Sequence, residues 1–223
     1  MRKTKFTVGE FYHIYNRGVD KRSIFENEED FLRFYQSIQE FNTIENIGSL
    51  FEILRTKNQS RSSTPKSTKL VNFIAYCLNQ NHFHFILEPL VEDGIQKFMH
   101  KLSTGYTNYF NDSHERSGAL FQGRYKSIHI DTNEYLLHLS VYINLNNFIH
   151  KGLNKLWFKK FPFSSFPIFI DSLKTSKFCN PKIILDQFSS TKEYHLYAKE
   201  IFSGIVSRKE TNKELKKLFF DPI

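Results

Sequence analysis

Residues 76–88 read YCLNQNHFHFILE: an apolar run that carries two histidines one residue apart and is interrupted by the polar turn NQN. Successive side chains of a β-strand point to opposite faces, so His82 and His84 share one face while Phe83, Phe85 and Leu87 take the other. Residues 70–78 alternate in the same way, and with the turn they predict a β-hairpin whose second arm begins near the histidines. Two imidazoles roughly 6 to 7 Å apart along a rigid strand can hold one metal ion if a third ligand arrives from elsewhere. On these residues alone, ordinary half-buried packing is the equal alternative.

Working outward, the chain of 223 residues is 40% hydrophobic and 16% aromatic, enough to bury a real core without disulfides or a metal. Its formal charge of +8 favours a polyanionic partner such as nucleic acid. Cys77 and Cys179 stand far apart and outside any CxxC, which argues against a zinc ribbon or a disulfide scaffold and suits a reducing, cytoplasmic setting. The basic N-terminus is not followed by an apolar signal region, and no run approaches the ~18 apolar residues of a membrane span. No membrane association is therefore expected.

Upstream of the histidines, residues 11–17 (FYHIYNR) alternate toward Gly18 and predict a first strand ending in a turn, with Arg17, Lys21 and Arg22 around it. Those cations could grip phosphate or simply be solvated. Asn27 followed by Glu28, Glu29 and Asp30 predicts a helix start, and Phe31, Phe34, Tyr35 and Ile38 continue it as a core-facing stripe. Residues 55–69 carry five cations, no acids and few apolar groups, which predicts a basic, flexible loop.

Downstream, Asp93 opens a helix in which Ile95, Phe98, Met99, Leu102, Tyr106 and Tyr109 recur at helical spacing. Residues 119–130 (ALFQGRYKSIHI) read as an extended stretch with Arg124 and Lys126 on a common face, a mixture suited to a single nucleic-acid strand or to an ordinary surface strand. Asp131, with Glu134 three residues on, predicts the capped start of a long helix through YLLHLSVYINLNNFIH. Within that helix Tyr142 and Asn146 lie about one turn apart. His13 and His138 could lie near the histidine pair, but a structural role is the better reading of each. Residues 157–170 read as a packed irregular segment closing the main unit, residues 1–170. Residues 171–223 read as a small helical C-terminal appendage.

Taken together and in order, FYHIYNRG, AYCLNQNHFHFIL, GALFQGRYKSI, EYLL with VYINLN and KGL, and FPFSSF resemble the single-tyrosine HUH transposases, in particular the REP-associated tyrosine transposases of the IS-type superfamily. The resemblance spans roughly residues 8–170. It implies an α+β fold: a ferredoxin-like antiparallel sheet with packed helices, the HUH endonuclease fold. It also implies a metal-dependent endonuclease and strand transferase acting on single-stranded DNA with hairpins, either REP-like or element-end sequences. Mapped onto this sequence, the HUH histidines are His82 and His84, the nucleophile is Tyr142, and the third ligand is Asn146. The cofactor implied is a divalent metal, Mg2+ or Mn2+, and the product is a 5′-phosphotyrosine link beside a free 3′-hydroxyl. Arg17, Arg22, Arg124 and Lys126 are the candidates for DNA backbone contact. Either a monomer or a homodimer is compatible with this reading.

Some positions depart from the usual pattern. Asn147 stands where proline commonly follows the helix asparagine, NQN precedes the histidines where MPN is commoner, and GA stands for GH before the FQGR segment. None removes a proposed ligand or the nucleophile. The other readings are a non-cleaving, domesticated protein that binds DNA or RNA structure, and an unrelated metal phosphodiesterase that uses water and leaves no protein on DNA.

Overall fold

The computed structural model describes residues 5–45, 68–149 and 163–211. Most of the basic loop expected at 55–69, and the first part of the irregular segment expected at 157–170, lie outside the described residues. Four strands form one sheet: β1 Phe11–Arg17, β2 Val71–Leu78, β3 His82–Pro89 and β4 Lys126–Ile130. Helix α1, Glu28–Glu40, joins β1 to β2, and α2, Gly94–Ser113, joins β3 to β4. The sheet order is β2-β3-β1-β4 and every neighbouring pair is antiparallel. This βαββαβ order is the ferredoxin-like topology, so the fold is α+β as the sequence predicts.

Strand alternation divides the sheet into two faces. Tyr12, Ile14, Phe83, Phe85 and Leu87 pack with Phe31, Phe34 and Ile38 of α1 and with Phe98, Met99 and Tyr106 of α2. Each phenylalanine buried there contributes roughly 1.5–3 kcal/mol. On the other face, Cys77 and Ile86 meet α3, Asn133–Asn144, through Leu136, Leu139 and Val141. A register shift between Phe73 and Ala75 opposes an extra residue to β3. The bulge reverses the parity of β2, so Phe73, Tyr76 and Leu78 share the α1 and α2 side while Cys77 faces α3. Simple alternation along residues 70–78 does not reveal that device.

Helix starts follow the capping chemistry with one correction. Asn27 accepts from the Asp30 backbone at 2.9 Å and Asp30 returns the bond, a complete capping box for α1. For α3 the cap is Thr132, whose hydroxyl accepts from the Tyr135 N–H at 3.2 Å, rather than the expected Asp131. Residues 119–125 are also not strand: β4 begins only at Lys126.

The edge of β2 is covered by the C-terminal part of the chain. Leu78 N–H donates to Phe163 O at 2.7 Å and Asn180 N–H to Phe73 O at 2.7 Å. Between these two contacts runs α5 Phe166–Ile170, and after them α6 Lys182–Leu185 and α7 Thr191–Thr211. Tyr194 and Ala198 of α7 are buried in the same core as α3.

One end of the sheet is tied by three loops. Gly18 N–H donates to Asn81 O at 2.8 Å, Val19 N–H to Leu120 O at 2.9 Å, and Gln122 N–H to Arg17 O at 2.8 Å. Gly18 is required by space rather than by torsion, since a Cβ there would stand 2.3 Å from Arg22 O and 3.1 Å from Ile24 Cγ2. Gly18→Ala is expected to cost about 1–3 kcal/mol, readable as a lowered midpoint in thermal unfolding. An unchanged midpoint would show that the loop moves aside freely.

Candidate active site

The register of the sheet places the histidines. Arg17 is opposite His82 and Tyr15 is opposite His84, so His13, Tyr15 and Arg17 of β1 share the histidine face. The His82 and His84 rings lie 5.1 Å apart at 87°. Across them comes the end of α3: the Tyr142 ring stands edge-on to His84, with centroids 5.8 Å apart.

The protonation of His82 follows from its partners. Its Nδ1 lies 2.6 Å from Asn81 Oδ1. A carbonyl oxygen can only accept, so Nδ1 is the donor in this contact, and in the neutral ring Nε2 keeps a lone pair that the Asn79 N–H can meet. That nitrogen is 3.2 Å from Asn146 Oδ1 and 3.0 Å from Asn79 Nδ2. Asn79 Nδ2 also donates to Asn146 Oδ1 at 2.8 Å. Two acceptors, one nitrogen and one oxygen, thus face the same point.

His84 is fixed from behind. Its Nδ1 is 2.9 Å from Nε2 of His13, and one of the two nitrogens must donate. The His13 ring is buried, and desolvation pushes its pKa down to about 3. His84 is also stacked with Tyr15, centroids 5.7 Å apart.

Tyr142 is a difficult acid. Burial pushes its phenol up to about 12, and the neighbouring Asn146 side chain opposes that in part. It is protonated at neutral pH, and any nucleophilic use demands a group that stabilises the phenolate.

Asn146 does not continue the helix as its spacing predicts. Helix α3 ends at Asn144, Leu145 turns out of helical geometry, and Asn146 opens the short α4, Asn146–Ile149. The four-residue proximity survives because Leu145 N–H still donates to Val141 O at 3.0 Å. Asn147 directs its backbone N–H toward the buried Cys77 thiol, a contact that a proline there lacks the hydrogen to make.

The donor chemistry suits a divalent cation. Asn146 presents its Oδ1 to His82, and the same side chain lies against the Tyr142 phenol, whose ionised form it favours. No group of three or more His, Cys, Asp or Glu converges among the described residues, so a cation here would rest on imidazole and amide groups. Such a set is neutral and leaves the cation's charge for an anionic ligand to balance.

The structure therefore brings His82, His84, Tyr142 and Asn146 together. Arg17 lies half-buried on the same face, and Lys126, exposed, is paired in register with Tyr15. Arg22 and Arg124 are exposed in the loops tied at that end of the sheet. Sequence reasoning passed over Asn79 and Asn81, which looked like turn residues, and kept His13 as structural. Only the parity of His13 with Tyr15 and Arg17 hinted that it faces the site. His138 is not among the residues gathered here. No helix among the described residues is long and apolar enough to cross a membrane.

No curated protein matches the chain. Among solved structures, the chain is similar to one described as "Structure of the REP associates tyrosine transposase bound to a REP hairpin", with 13% identity, a TM-score of 0.48, and coverage of 85% of this chain and 95% of that one. Residues 52–146 match the family model described as "Transposase IS200 like". The matched segment is the one that holds both histidines, Tyr142 and Asn146.

Proposed function

We propose that the protein is a metal-dependent endonuclease and strand transferase that cuts single-stranded DNA beside hairpins, with Tyr142 as the nucleophile. The observation that carries this reading is the convergence of two acceptor atoms, His82 Nε2 and Asn146 Oδ1, 3.2 Å apart, with a tyrosine ring against His84. His82, His84 and Asn146 would hold Mg2+ or Mn2+, which when bound draws charge from the phosphodiester and eases ionisation of the phenol. Arg17, Arg22, Arg124 and Lys126 hold the strand through its phosphates, and His84 with the wall of α3 aims the Tyr142 oxygen at phosphorus. The new bond from that oxygen forms as the bond from phosphorus to the 3′-oxygen breaks. The 3′-oxygen takes up a proton, and the phosphotyrosine keeps a diester's bond energy, so the reverse step rejoins strands without a nucleotide cofactor. In this reading residues 1–170 are the DNA-processing unit and residues 171–223 a C-terminal helical appendage.

The test is a labelled single-stranded hairpin incubated with the protein and Mn2+. A denaturation-resistant protein–DNA adduct that a chelator suppresses is the expected product. Cleavage without an adduct would point to activated water, and binding without cleavage to a non-cutting role. The four cations make a separate prediction. Neutralising Arg17, Arg22, Arg124 and Lys126 to glutamine, one at a time, should lower the slope of log affinity against log salt by roughly 0.7 each for a single strand. A residue whose loss leaves the slope unchanged does not touch phosphate.

A further inference from the structure

Asn79 lies in the turn between β2 and β3 and is 6% exposed. Its Nδ2, His82 Nε2 and Asn146 Oδ1 form a closed triangle with sides of 3.0, 2.8 and 3.2 Å. An octahedral ion with bonds of about 2.1 Å has ligands about 3.0 Å apart along each edge. The three atoms therefore have the dimensions of one octahedral face.

Two of those corners are lone-pair acceptors and the third is an amide nitrogen, which cannot bind a cation. A half-turn about the Cβ–Cγ bond of Asn79 exchanges Nδ2 for Oδ1 with almost no change of shape. The carbonyl oxygen then stands at that corner, and all three atoms offer lone pairs to one point. With Nδ2 at the corner, the same side chain supplies N–H groups to both neighbours and keeps them in register.

We propose that Asn79 is a further protein ligand of the divalent cation, binding through Oδ1 after the amide turns over. The proposal rests on the metal-dependent reading above. The residues that would hold the cation are then His82, His84, Asn79 and Asn146, two imidazoles and two amide oxygens, a neutral set to which a phosphate oxygen, the phenol or water would add.

The experiment measures Mn2+ affinity directly, by calorimetry and by the loss of the free-ion electron paramagnetic resonance signal, with no DNA present. Asn79→Leu should weaken binding about tenfold or more, and Asn79→Asp should tighten it by adding a charge at the same corner. Circular dichroism melts report whether each variant is folded, and if the leucine variant is not, the aspartate variant decides. Equal or tighter binding by a folded Asn79→Leu protein, or no tightening by Asn79→Asp, overturns the proposal: the amide would then be a bystander or a competitor. His82→Ala separates the two levels. If it binds Mn2+ as well as the parent does, the metal centre itself is misplaced. If it loses binding while Asn79→Leu does not, only the role of Asn79 fails.

Discussion

Tyr142→Phe is expected to abolish the covalent adduct with hairpin DNA and to lower strand cleavage by a factor on the order of 10^4 to 10^6, the scale seen when a covalent nucleophile is removed. The ring would keep its place through its edge-on packing against His84, centroids 5.8 Å apart, and the variant loses only the hydroxyl beside Asn146. Folding and Mn2+ binding should therefore stay near those of the parent, which separates loss of chemistry from loss of structure. Denaturing gels of the labelled strand read the first effect, and melts with titration read the second. An adduct that persists in the variant would move the nucleophile to another residue.

Acid should unfold the protein through His13. The unfolded chain takes up this proton near pH 6.5, whereas the buried ring resists it until about 3. Stability is complete above 6.5 and drains away as pH falls through that window, by up to about 1.4 kcal/mol per unit. Between pH 7 and pH 4 the loss amounts to about 3 kcal/mol from this group alone. Urea unfolding at several pH values measures it, with His13→Gln as the control that lacks the titrating ring. The glutamine variant should show a markedly flatter dependence, and an identical slope in both proteins would exonerate His13. The same substitution removes the ring that meets His84 Nδ1 at 2.9 Å, so Mn2+ binding should weaken alongside.

Much of this arrangement was legible from the chain because period and spacing are local properties. The alternation around His82 and His84 announces a strand, and the four-residue step from Tyr142 to Asn146 announces their proximity, although the two fall on separate helices. What stayed hidden depends on other segments. Asn79 and Asn81 carry the composition of a turn, and only the approach of Asn146 turns them into partners of His82. The bulge in β2 and the end of α3 before Leu145 each break a regular pattern that the residues themselves continue. Thr132 caps α3 in place of Asp131 because either side chain can serve, and the backbone chooses.

The grip on α3 comes from the far side of the molecule. Asn144 Nδ2 donates to the Tyr194 hydroxyl at 3.0 Å, that hydroxyl lies 3.2 Å from Ser140 Oγ, and Ser165 Oγ donates to Asn144 Oδ1. Ser140 and Asn144 are one turn apart along a single stripe, and Tyr142 projects from roughly the opposite side. Held at two points on its back, the helix cannot roll about its axis, and a roll of one residue position would swing the phenol through about 100°. The compass bearing of Tyr142 is thus set by Tyr194, which follows it by some fifty residues.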